Sequence, residues 1–273
     1  MLKVKEGSVE TSSFVVDYVA FGQGSTPLIL IPGLADGLQT VKGKGLPLAL
    51  LYRRFAKDFR VYSFSRKRVL EEGYTTQDMA RELMIALKEV ERGPYMVMGI
   101  SQGGMIGQHL ALLYPEEVKR LVLGVSSSRP NPILVGRVVT WINLAKEGDF
   151  KELLIDTFEN TYTPKRLRLY RPLYPFLVKA VKEENIGRFL IQAEACLTHN
   201  TYEQLDKIGC PTLIMGGAED TILGAEASRE MAAKIEGSLL KIFPKYGHGL
   251  YEEERLFNQE ALNFFLEGIN EKV

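Results

Sequence analysis

The chain has 273 residues, 45% hydrophobic and 25% charged, which is enough for one substantial core and too apolar for a disordered segment. Its 34 Lys and Arg balance 34 Asp and Glu, so bulk charge favours neither nucleic acid nor an anionic membrane surface as a partner. The two cysteines, Cys196 and Cys210, stand outside any CxxC or Cys/His cluster; this excludes a disulfide framework and argues against a metal site, and no cofactor is expected.

The first residues, "MLKVKEGSVETSSF", lack the apolar centre of a signal peptide, and no run approaches the roughly 18 apolar residues of a membrane span. A cytoplasmic protein is expected, of an oligomeric state the sequence leaves open. "SSFVVDYVA" (12–20) reads as a strand from its β-branched and aromatic residues. "PLILIPG" (27–33) reads as a buried central strand breaking into a loop. "FRVYSFS" (59–65) is a further strand, and "SRKR" (65–68), with three cations in four residues, reads as a solvated loop. Thr75 and Asp78 form a capping-box spacing ahead of a helix to Val90, with Met79, Leu83, Ala86 and Leu87 on one face. Strands over 94–99 and 118–126 flank a helix over 102–114 that Pro115 stops. Strands over 210–217 and 238–244 alternate with helices over 225–235 and 252–266.

This alternation predicts an α/β fold, a mostly parallel sheet covered by helices on both faces. It lapses between about Pro130 and Asp206, where amphipathic helical patterns follow one another with no strand. The organisation expected is a core of residues 1–129 and 207–273 with an all-helical cap, 130–206, over the carboxyl edge of the sheet, where ligands bind in open α/β folds.

Residues 99–103, Gly-Ile-Ser-Gln-Gly, stand directly after a strand and before a helix. A sharp turn there would force Ser101 into strained geometry at a helix N-terminus. Taken alone the pentapeptide fits a nucleophile and an ordinary serine N-cap equally well. A serine nucleophile needs a base, and the chain offers three histidines. His109 falls inside the following helix; His199, in "CLTHN" at the end of the insert, is a candidate for the cleft wall or for a structural role. His248 lies between glycines just past the last strand, where a loop histidine can act as general base. Its acid partner would come from "MGGAEDTIL": Asp220 first, Glu219 second. The alternative loop, Ser126–Arg129, contains no carboxylate. An oxyanion hole would use the backbone N–H of Gln102 and, from "LILIPGLADG", that of Leu34.

These pieces together, with "VMGISQGGMIGQHLALLYPEEVKRLVL" and "IFPKYGHGLYEE", resemble an α/β-hydrolase-fold protein over nearly the full length. The resemblance implies Ser101, Asp220 and His248 as nucleophile, acid and base, with Leu34 and Gln102 as oxyanion donors. It departs from many relatives at Pro32-Gly33, where they carry His-Gly, and at "FSRKRVLEEGYTT", where they carry a D-x-R-G-x-G-like stretch, so a different and more charged entrance is expected on that side.

The function expected is hydrolysis of a small carboxylic ester through an acyl-enzyme, the acyl substrate being a small molecule. Thioester, amide or carbon–carbon bond hydrolysis would use the same parts, and a ligand-sensing or partner-binding protein that keeps the fold is the reading from another class. Trp141 and the aromatic residues of the insert suit an apolar pocket, and Asp36 beside the oxyanion loop is a candidate substrate contact. An amine-binding pocket would want carboxylates in the insert; Glu159, Glu183, Glu184 and Glu194 are available there, though helical surface charge is the plainer role for them.

Overall fold

The computed structural model describes residues 3–179 and 185–270. Eight strands, β1 (Val4–Glu10), β2 (Val15–Gly22), β3 (Thr26–Ile31), β4 (Phe59–Phe64), β5 (Tyr95–Ile100), β6 (Val118–Gly124), β7 (Thr212–Gly217) and β8 (Leu239–Phe243), form one sheet in the order β1-β2-β4-β3-β5-β6-β7-β8. The pairings β1–β2 and β2–β4 are antiparallel, and all others are parallel. Every residue of the central β5, "YMVMGI", is buried, as a strand covered on both faces requires.

One face packs against α2 (Thr76–Val90), α3 (Gln102–Leu113) and α9 (Ala225–Lys234) through Met79, Leu83, Leu87, Ile106, Leu110 and Met231. The other packs against α1 (Gly45–Leu51) and α11 (Arg255–Asn270) through Ala49, Phe257, Phe264 and Phe265. The Thr75–Asp78 capping box forms as the spacing predicts.

Between β6 and β7 stand α4 (Pro132–Glu147), α5 (Phe150–Thr161), α6 (Pro164–Tyr170), α7 (Tyr174–Val178) and α8 (Ile186–Thr198). Leu134, Val138, Trp141, Leu153 and Phe189 of this segment share a core with Leu34, Met105, Ile222 and Leu223, which lie on or next to the loops at the carboxyl ends of the strands. The helical segment is thereby cemented to the edge where the candidate site residues lie.

Three features depart from the sequence reading. Strand β1 has one buried apolar side chain, Val9, so an edge strand carries almost no hydrophobic signal. Helix α1, "GLPLALL", is short and contains a proline in its first turn. "SRKR" is not a solvated loop: Arg66 and Lys67 are buried, and Arg68 pairs with Asp17 at 2.6 Å. Arg66 and Lys67 thus belong to the interior, while Arg68 stays exposed and pairs with the buried Asp17. Among the described residues no helix is long and apolar enough to cross a membrane, and Cys196 and Cys210 are free thiols.

Candidate active site

Ser101 occupies the corner between β5 and α3 at φ 55°, ψ −121°, a positive φ that non-glycine residues rarely adopt. It stands at the N-cap position, yet its side chain makes no capping hydrogen bond. The corner is held from outside: Ser101 N–H donates to the Gly124 carbonyl at 2.9 Å, and its own carbonyl accepts from Ser126 Oγ at 2.8 Å. The flanking glycines are steric requirements. A Cβ on Gly103 would lie 1.9 Å from the Ile31 carbonyl oxygen, and one on Gly99 would lie 2.2 Å from that of Gly103.

Asp220 and His248 approach from the loops after β7 and β8. His248 Nδ1 lies 2.8 Å from Asp220 Oδ2, and both residues are buried. The other carboxylate oxygen, Oδ1, accepts the N–H groups of Ile222 at 2.8 Å and Leu223 at 2.9 Å. Burial opposes ionisation of Asp220, but His248 and these donors outweigh it, and its pKa falls below the ordinary aspartate value. An ionised carboxylate can only accept, so Nδ1 carries the proton and Nε2 of a neutral His248 is left as an acceptor. Glu219, the second candidate acid, is exposed, whereas Asp220 is the carboxylate that meets the imidazole.

Leu34 opens a 3-10 turn, Leu34–Gly37, directly after Gly33. A Cβ on Gly33 would stand 3.2 Å from Ser101 Cβ, which measures how closely this loop approaches the serine. Gln102 is the first residue of α3, so its N–H is one of the helix donors without an intrahelical acceptor.

A buried polar network, which the sequence reading missed, ties these two loops together. Arg66 Nη2 donates to the Pro32 carbonyl at 2.5 Å and to Gln102 Oε1 at 3.0 Å. Gln102 Nε2 continues to the Gln192 carbonyl at 2.7 Å and to Cys196 Sγ at 3.1 Å, both on α8. Arg188, also on α8, donates to the Asp36 carbonyl at 2.6 Å, to Asp36 Oδ2 at 3.1 Å and to the Arg66 carbonyl at 3.0 Å. Gly37 lets α8 sit against the turn; a Cβ there would be 2.7 Å from Phe189 Cα. The signal that could have found this network is the buried charge itself, which no local pattern in "SRKR" discloses.

A cavity of about 280 Å³ opens over the serine, and Ser101, His248, Leu34, Asp36 and Trp141 all contribute to its wall. Trp141 Nε1 donates to Asp156 Oδ2 at 2.7 Å. Asp36 also faces the cavity, with Oδ2 taken up by Arg188 and the Arg66 N–H. The structure places His199 away from this wall, buried against α2 and α3: Nδ1 is 2.9 Å from Thr76 Oγ1 and its ring meets His109 edge-on at 5.2 Å. Burial, with the His109 charge adding to it, pulls the His199 pKa down to about 3. Of the stretch "FSRKRVLEEGYTT", Arg66 turns inward and Arg68, Glu71 and Glu72 are exposed, but none of its residues lines this cavity. Among the described residues no cluster of three or more His, Cys, Asp or Glu is placed to hold a metal ion.

A strained serine, a tethered imidazole and a buried carboxylate at the carboxyl edge of a mostly parallel sheet are the arrangement of the α/β-hydrolase fold. Residues 26–255 match the family model for the alpha/beta hydrolase fold, and the chain belongs to that family. It is similar to the uncharacterized hydrolase YugF of Bacillus subtilis (30% identical over 196 residues, 67% of this chain and 68% of that protein). It is also similar to 2-hydroxy-6-oxo-6-phenylhexa-2,4-dienoate hydrolase of Comamonas testosteroni (23% over 269 residues, 93% and 92%). Among solved structures, MGS-M2, an alpha/beta hydrolase enzyme from a Medee basin deep-sea metagenome library, superimposes with a TM-score of 0.83 at 21% identity, covering 95% of this chain and 97% of that one. The chain is accordingly an enzyme of the hydrolase class.

Proposed function

We propose that the protein is a serine hydrolase that cleaves a small carboxylic ester through an acyl-enzyme. The observation that carries this reading is the elbow: Ser101 at φ 55° faces the same cavity as His248, whose Nδ1 is held 2.8 Å from a buried carboxylate. In this reading Ser101 Oγ attacks the ester carbonyl carbon while His248 Nε2 takes the hydroxyl proton. The N–H groups of Leu34 and Gln102 receive the oxyanion, a contribution of about 3–4 kcal/mol for one such donor. Collapse expels the alcohol, which leaves with the proton from His248. Water then attacks the acyl-serine, gives a proton to Nε2, and the carboxylic acid departs as Ser101 recovers its own. Asp220 keeps the imidazole in the tautomer that can do this. No metal or cofactor takes part in these steps.

Residues 130–206 act as the cap in this reading and residues 1–129 with 207–273 as the core, since α8 closes on the oxyanion turn through Arg188 and Gln192. Trp141 and Asp36 belong to the wall that receives the acyl group. Free thiols at Cys196 and Cys210 agree with a cytoplasmic setting. A fluorophosphonate probe tests the reading: it labels Ser101, and Ser101→Ala abolishes both labelling and turnover on a chain-length series of activated esters and thioesters. Well-folded protein that resists the probe would exclude the mechanism.

A further inference from the structure

The cavity runs beyond the serine to a second polar end, formed where α1 meets the turn that follows His248. There α10 (Leu250–Glu253) presents Glu252 beside Tyr251, and Tyr52, Leu48 and Leu51 of the α1 region line the same cavity. The three consecutive glutamates of this stretch do different work. Glu253 accepts the N–H and hydroxyl of Thr163 at 3.0 and 2.6 Å, fastening the start of α6. Glu254 accepts the N–H of Leu256 at 2.9 Å. Glu252 turns inward to the cavity, where Tyr162 donates its hydroxyl to Oε2 at 2.9 Å and Tyr251 also hydrogen-bonds to it.

The charge balance along the cavity wall is uneven at this end. Asp36 is paired with Arg188, and His248 with Asp220. Lys44 Nζ rests on the Gln39 carbonyl at 3.2 Å, where the Asp36 charge acts on it. Glu252 is the one carboxylate on this wall that forms no ion pair among the described residues, and its hydrogen bonds come from neutral phenols. Arg166, whose charge acts on it, is engaged over the ring of Tyr170, 5.2 Å from the centroid. Glu252 keeps half-buried surface although protein surrounds it, because the open side is the cavity. Burial accordingly raises its pKa above the usual glutamate value. A carboxylate on a mostly apolar wall is costly unless a ligand completes it.

We propose that the Glu252 end of the cavity is a subsite for a protonated amine carried by the substrate, so that the ester taken is an aminoalkyl or aminoacyl one. This rests on the hydrolase reading for its purpose, but binding can be measured without turnover. The amine-binding carboxylate therefore comes from the turn after His248 and not from the helical segment. Glu159 there is paired with Arg171 at 2.7 Å, Glu194 faces Lys146 at 3.8 Å, and Glu183 and Glu184 lie outside the described residues.

Titration calorimetry with 1-hexylammonium and 1-hexanol on the intact protein tests the subsite. The ammonium is expected to bind at least about tenfold more tightly than the alcohol. Glu252→Gln, which keeps the shape and an acceptor but removes the charge, is expected to bring the two within about twofold. Equal binding of the two ligands by the wild-type protein, no binding of either, or an ammonium preference that survives Glu252→Gln would each overturn the proposal. The wild-type comparison stands alone, so a variant that fails to fold does not shelter it. Protein that binds hexylammonium through Glu252 yet resists fluorophosphonate would keep the subsite and lose the hydrolase reading. Protein that is labelled but shows no preference would do the reverse.

Discussion

Removing the side chain of Arg188 should loosen the helical segment from the core before it disturbs anything else. Arg188 and Asp36 form an ion pair whose side chains are 9% and 1% exposed, so Arg188→Ala would strand a carboxylate that water barely reaches. Asp36 Oδ1 already lacks a hydrogen bond among the described residues, and without Arg188 the donors left at Oδ2 are the neutral Arg66 N–H at 3.1 Å and Gln192 Nε2 at 3.5 Å, with no ion pair. The carbonyls of Asp36, Arg66 and Lys67 lose a donor at the same time. Breaking one side of a buried pair costs about 3–5 kcal/mol. At about 2 °C per kcal/mol for a chain of this size, Tm should fall by about 6–10 °C. Trp141 is the only tryptophan and lies in the core that the helical segment shares with Leu34, so its fluorescence during urea unfolding reports the right region. A double-mutant cycle separates the pair from the rest: Asp36→Asn should cost clearly less in the Arg188→Ala background than alone. Equal costs in both backgrounds, or a loss below about 1 kcal/mol for Arg188→Ala, would refute the claim that this pair clamps α8 to the turn bearing Leu34.

Asp220→Asn should leave the fold in place and lower kcat by about 10³–10⁴, because an amide no longer enforces the Nδ1–H tautomer of His248; steady-state kinetics with near-ultraviolet circular dichroism checks both parts. Since the Asp220 pKa is lowered on folding, its ionised form stabilises the native state above the unfolded value of about 4, and this is lost as pH falls from there through the lowered folded value. Glu252 has the opposite sign. Its raised pKa makes the protonated form the better fit, so the contribution is full at acid pH and lost as pH rises through the raised value. Glu252→Gln should therefore melt above the wild type at pH 8, and the gap should close near pH 4. Gly136 lies exposed in α4 with nothing within 4 Å of an added Cβ, so Gly136→Ala should raise stability by about 0.5–1 kcal/mol without changing turnover.

Much of the fold was legible locally because each signal sits in a short window. The apolar run of β5, the glycines around Ser101 and the capping box at Thr75 each state their own conformation. The pentapeptide around Ser101 fits an N-cap and a strained corner equally by itself, and the side chain, free of any capping bond, with φ at 55° shows the second. His248 and Asp220 could be picked out because few residues of the right kind stand at strand ends. Their 2.8 Å contact across 28 positions depends on the sheet, which sets β7 beside β8.

What tertiary structure alone decided is which charges are inside. "SRKR" carries the same composition as a surface loop, and only the arrival of Asp36, Gln102 and α8 from distant positions makes Arg66 an interior residue. Likewise "EEE" at 252–254 is uniform in sequence, yet one carboxylate fastens α6, one accepts from the backbone of the next turn, and one faces the cavity. Local sequence carries backbone preference and hydrophobic period, because those depend on neighbours three or four residues away. The environment of a charge depends on what packs against it from elsewhere in the chain, and that is settled only when the helical segment closes over the sheet.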